Sequence, residues 1–81
     1  MYYPTQINGL RVKLENWLQG LSDEWRVSVH ENSYICTWSG HTLVKISWDD
    51  DWQDKDDFEI EGEVSYLVMK EIIKCIDDYF D

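Results

Sequence analysis

Three successive stretches in the middle of the chain alternate apolar and polar residues, and two-residue turns separate them. Residues 24–30 (EWRVSVH) set Trp25, Val27 and Val29 against Arg26, Ser28 and His30. Residues 33–39 (SYICTWS) carry Tyr34, Cys36 and Trp38 as the apolar set, and residues 42–48 (TLVKISW) carry Val44, Ile46 and Trp48, with Leu43, Lys45 and Ser47 opposite. A strand repeats its side-chain direction every two residues, so each stretch has one apolar face. Glu31-Asn32 and Ser39-Gly40 leave room only for hairpins. The pattern predicts an antiparallel meander with one dry face. A short fourth strand at 57–61 buries Phe58 and Ile60 and exposes Glu59 and Glu61.

The flanks repeat on a different period. Ile7, Leu10, Leu14, Trp17, Leu18 and Leu21 fall on one face of a helix predicted at about residues 5–20, with Pro4 before it and Gly20 as a stop. After Gly62, which breaks the last strand, residues 63–80 read as a second helix. Val64, Val68, Met69, Ile72, Ile73, Cys75, Ile76, Tyr79 and Phe80 fill more than half its circumference. So broad an apolar arc implies contact on two sides: the sheet and the first helix, or the sheet and a partner, including a second copy. The fold class is α+β in the order α-β-β-β-(β)-α, with both helices on one face of a three- to four-stranded antiparallel sheet. Eighty-one residues are expected to form one domain.

Strand directions then place the ends. Strand 1 runs up to Glu31, strand 2 down to Gly40, strand 3 up to Asp49, and strand 4 down again, so helix 2 climbs back. Its 18 predicted residues span about 27 Å, close to the length of a seven-residue strand. Asp77, Asp78 and Asp81 are therefore expected beside Glu31 and the loop after Trp48.

That loop dominates the charge. The stretch Asp49 to Glu63 holds Asp49, Asp50, Asp51, Asp54, Asp56, Asp57, Glu59, Glu61 and Glu63 against Lys55, a net −8 of the chain's −10. Like charges within a Debye length of about 8 Å repel, and acids at a helix C-terminus oppose its dipole. Local rules broken without a folding gain tend to mark function. The charge argues against direct binding to nucleic acid or an anionic membrane and favours a basic partner. Trp52, amid the acids, is the apolar anchor that an interface needs. The plainer alternative is a solubilising loop with Trp52 folded onto the core.

Other chemistries fit the residues poorly. A calcium loop counted from Asp49 has Gln53 at position five, Asp54 at six and Ile60 at twelve, so it lacks the central glycine and the final glutamate. His30 and His41 fall at opposite ends of the sheet, too far apart to share a zinc ion with Cys36 and Cys75. Both cysteines lie in apolar sets and read as small buried residues. No phosphate loop, nucleophile triad or carboxylate pair in a cleft is present, so no enzyme and no cofactor is expected. The N-terminus lacks the pattern of a signal peptide, no apolar run spans a bilayer, and reduced cysteines suit the cytoplasm.

The element order resembles that of double-stranded-RNA-binding domains. That family places lysines at the start of its second helix, where this chain has Glu59, Glu61, Gly62 and Glu63, so RNA binding does not carry over. In size, acidity and element order the whole chain is similar to small phage-encoded anti-CRISPR proteins. Some of these lay acids from a helix-sheet-helix scaffold into the DNA-binding groove of a CRISPR effector. The resemblance implies a cytoplasmic inhibitor that mimics nucleic acid, blocking a CRISPR effector or nuclease with its loop acids. Bacterial toxin-immunity proteins are likewise small, acidic and soluble, and imply a toxin as the partner. A third expectation is a small chaperone or assembly module, a monomer or weak homodimer joined through helix 2.

Overall fold

Leucines four residues apart build the first element. The computed structural model describes the backbone of residues 4–48 and 58–80, with side chains from residue 6 onward within them. Helix α1 (Pro4–Gln19) turns Leu10, Leu14 and Leu18 fully inward, as one side chain per turn on a single face requires. Gly20 closes it, its N–H shared between the carbonyls of Asn16 and Trp17 at 3.2 Å each. Leu21, expected on the apolar face, lies past the helix end and is 52% exposed.

The meander follows as β1 (Trp25–His30), β2 (Ser33–Trp38), β3 (His41–Trp48) and β4 (Phe58–Gly62), in sheet order β1-β2-β3-β4 with every pair antiparallel. Ser39 (φ 50°) and Gly40 (φ 84°) both take left-handed backbone in the second hairpin. That twist suits the strands they join. In the first hairpin Glu31 (φ 53°) takes the left-handed position.

Trp25, Val27, Tyr34, Cys36, Val44, Ile46 and Trp48 form the sheet's share of the core, and Ile72, Cys75 and Ile76 of the second helix join the leucines of α1 above it. Both helices thus cover one face, and the other is left to solvent. Val29 and Trp38 were expected in the dry set but are 38% and 40% exposed, each standing near a strand end. Leu43 departs the other way. The register slips between Cys36 and Thr37, which pair with Val44 and Thr42. The extra residue is Leu43, and this bulge turns it from the solvent side to pack partly against the core.

Helix α2 spans Tyr66–Phe80 rather than 63–80. Gly62 ends β4 instead of breaking it earlier, and the Glu63 N–H still donates to the Leu43 carbonyl at 3.0 Å. Ser65 caps the helix, its hydroxyl accepting from the Val68 N–H at 3.4 Å. Among the described residues no helix is long and apolar enough to cross a membrane.

Candidate functional site

The pole where the acids are expected is built on a row of rings. Trp48 ends β3 opposite Phe58 at the start of β4, and its backbone N–H donates to the Asn32 carbonyl in the first hairpin at 3.0 Å. Ring centroids then follow one another: Tyr34 to Trp48 at 4.7 Å, Trp48 to Phe58 at 6.0 Å, Phe58 to Phe80 at 5.8 Å and Phe80 to Tyr79 at 5.5 Å. Tilted and edge-on pairs of this kind each add roughly 0.5–1.5 kcal/mol beyond the area they bury. The row ties two strand ends and the C-terminal end of α2 to one end of the sheet, beside the Glu31-Asn32 turn.

Two phenols fasten α1 to the same end. Tyr34 donates to the Ile7 carbonyl at 2.7 Å and Tyr79 to the Gln6 carbonyl at 3.0 Å. Burial drives the Tyr34 phenol well above its ordinary range, with Tyr79 adding to the effect, so it stays a donor at all ordinary pH. Gly9 makes room for this contact, since a Cβ there would stand 3.1 Å from the Tyr79 hydroxyl.

The chain therefore enters segment 49–57 at Trp48 and leaves it at Phe58 from one pole. Asp49, Asp50, Asp51, Trp52, Asp54, Asp56 and Asp57, together with Asp81, lie outside the described residues. Of the other expected acids, Glu31 is exposed in its turn. Glu59 and Glu61 are exposed on the uncovered face of β4, across from Ser47 and Lys45. Asp77 is half-buried near the end of α2.

Asp78 is exposed near the end of α2 but leans toward the first helix. Its carboxylate meets the Lys13 ammonium at 2.7 Å, which turns it toward α1. The hydrogen bond that the Lys13 ammonium donates to Asp78 is the main cause of its raised pKa, and the same ammonium stands 5.6 Å from the Trp17 ring. Trp17 in turn donates to Glu71 at 2.9 Å. Asp78 and Glu71 are thus ties between antiparallel helices.

A second polar row went unread in the sequence. Arg11, Glu15 and Gln19 stand one turn apart on α1, beside its apolar stripe. Gln19 donates to the Trp25 carbonyl at 2.9 Å, Glu15 accepts from the Val27 N–H at 2.9 Å, and Arg11 donates to the Val27 carbonyl at 3.2 Å. These are outward groups of the first half of β1, at the edge of the sheet. Four helical residues rise about 6 Å and two strand residues about 6.8 Å, so the two rows run nearly in step. The signal in the sequence is the spacing of four.

The remaining reactive groups are quiet. Cys36 and Cys75 are free and fully buried. Burial pushes the Cys36 thiol up to about 12 and the Cys75 thiol up to about 11. Neither is a thiolate at neutral pH, and the thiolate is the nucleophile. His30 pairs with Ser33 and His41 with Trp38, at opposite ends of the sheet. Among the described residues no three His, Cys, Asp or Glu side chains gather to hold a metal ion. No family model matches the chain, and no significant match was found among curated proteins or solved structures.

Proposed function

We propose that the chain is a non-enzymatic inhibitor whose acidic surface docks on the basic nucleic-acid-binding site of a target protein and competes there with DNA or RNA. A CRISPR effector or a nuclease has such a site. The observation that carries the reading is the aromatic row from Tyr34 to Phe80, which roots both ends of segment 49–57 at one pole. The sequence between those roots carries six aspartates, one lysine and Trp52. A nucleic-acid channel is lined to receive about one phosphate per 1.7 Å of duplex axis, and crowded carboxylates on a fixed base suit such a lining. The repulsion among them is relieved on contact with cations.

The test is a competition assay. A basic nuclease or CRISPR effector carrying fluorescent duplex DNA is titrated with the protein at rising salt. DNA is displaced at low salt and progressively less as salt rises. The triple reversal Asp50→Lys, Asp54→Lys, Asp57→Lys removes displacement while far-ultraviolet circular dichroism stays native. Displacement that survives the triple reversal rejects the reading.

A second reading draws on α2. Tyr66, Leu67 and Ile73 are 77%, 70% and 46% exposed, which suits a homodimer joined through that helix. A concentration-independent monomer mass in sedimentation rejects it.

A further inference from the structure

The two edges of the sheet are finished differently. On β1 the Trp25 carbonyl and both outward groups of Val27 are occupied by side chains of α1, as described above. On β4 they are not. The Glu63 N–H bonds to Leu43, so Glu59, Glu61 and Glu63 aim their backbone groups at β3, and the alternation turns those of Ile60 and Gly62 away from it. Among the described residues, none bonds to the outward N–H or C=O of Ile60 or Gly62. Gly62 is exposed and Ile60 half-buried. A row of such groups is a template for another strand.

The side chains say which strand. Glu59, Glu61 and Glu63 are exposed, and Glu59 and Glu61 share the face of the sheet that no helix covers. Ile60 points to the other face and packs partly on the core. Opposite charges on directly facing residues stabilise a strand pair, and like charges weaken it. On its closed side Glu61 already faces Lys45. A second copy added along β4 would set glutamates against glutamates. An added strand with lysine or arginine alternating with apolar residues would meet glutamates on one face and Ile60 on the other.

We propose that the β4 edge is a docking site for an extended basic segment of a partner protein, added as a fifth strand through the backbone groups of Ile60 and Gly62. The glutamates both select this partner and keep copies of the chain apart. This surface lies outside segment 49–57 and does not depend on that segment making contact.

The probe is a blocked heptapeptide alternating lysine and valine, added to the full ¹⁵N-labelled chain, with amide hydrogen exchange as the readout. Saturating peptide should slow exchange at Ile60 and Gly62 about tenfold, as a newly bonded strand edge requires. A glutamate–valine peptide should not. Ile60→Pro removes the outward N–H and should abolish the protection, since proline is tolerated on an edge strand. Glu59→Lys with Glu61→Lys provides a second arm should the proline variant not fold: it should exchange the preference, binding the glutamate–valine peptide instead. The triple reversal at Asp50, Asp54 and Asp57 should keep the Ile60 and Gly62 protection, which separates this site from the acidic segment. Unchanged exchange at Ile60 and Gly62 under saturating peptide overturns the proposal. So does a peptide preference that survives the charge swap, or a dimer of the chain whose protected amides are those of β4.

Discussion

At Gly62 an added Cβ would press against the Leu43 carbonyl oxygen and stand 3.0 Å from the Val44 Cα. Both neighbours are backbone and have little freedom to retreat. Gly62→Ala should therefore destabilise the fold by about 1–3 kcal/mol, the usual cost of overpacking, read as a lower urea midpoint with an unchanged slope. The buried thiols give a prediction with a sign. Burial lifts Cys36 from 9.0 to about 12, so the unfolded chain loses its proton first as pH rises. Stability is intact below about pH 9 and falls above it, by up to roughly 1.4 kcal/mol per pH unit for this thiol. Urea midpoints between about pH 8 and about pH 10 should decline, and Cys36→Ala should flatten the decline. Gly62 was legible only as a breaker, because its constraint comes from a neighbouring strand's carbonyl. Cys36 and Cys75 were legible as buried residues, since each falls in an apolar repeat.

Among the elements, the edge of β1 makes the sharpest claim. Glu15→Ala leaves the Val27 N–H without its acceptor. The expected loss is about 1 kcal/mol, with faster hydrogen exchange at Val27 and little change in the α2 amides. Glu15→Gln keeps an acceptor oxygen and should restore most of the protection. Both helices and all four strands could be read from hydrophobic period, because burial on one face leaves a repeat of 3.6 or of 2 in the residues themselves. The start of α2 could not be placed as well. Val64 belongs to the apolar pattern, but Ser65 at the cap and the Glu63–Leu43 bond hold residues 63–65 outside the helix. The bulge at Leu43 left no periodic trace, since one extra residue in a strand changes the pairing and not the composition.

Over the whole molecule the formal charge of −10 works against compactness. Screening should relieve this, so melting followed by circular dichroism is expected to shift upward on going from low salt to about 0.5 M sodium chloride. A gain of about 1 kcal/mol would appear as roughly 4–8 °C in a chain of this size. The exposed Lys13–Asp78 pair opposes the trend only slightly, because screened surface pairs contribute little. Strand direction was enough to foresee that the end of α2 returns to the pole of Trp48 and Phe58. It could not foresee Asp78 turning to Lys13, since the facing of two helices depends on how side chains interdigitate. The different finish of the two sheet edges has a consequence for growth. Stacking by backbone pairing needs two open sides on every unit, and α1 occupies one of them. Growth along β1 would first have to displace the α1 side chains from Trp25 and Val27, so backbone pairing is favoured at the β4 side.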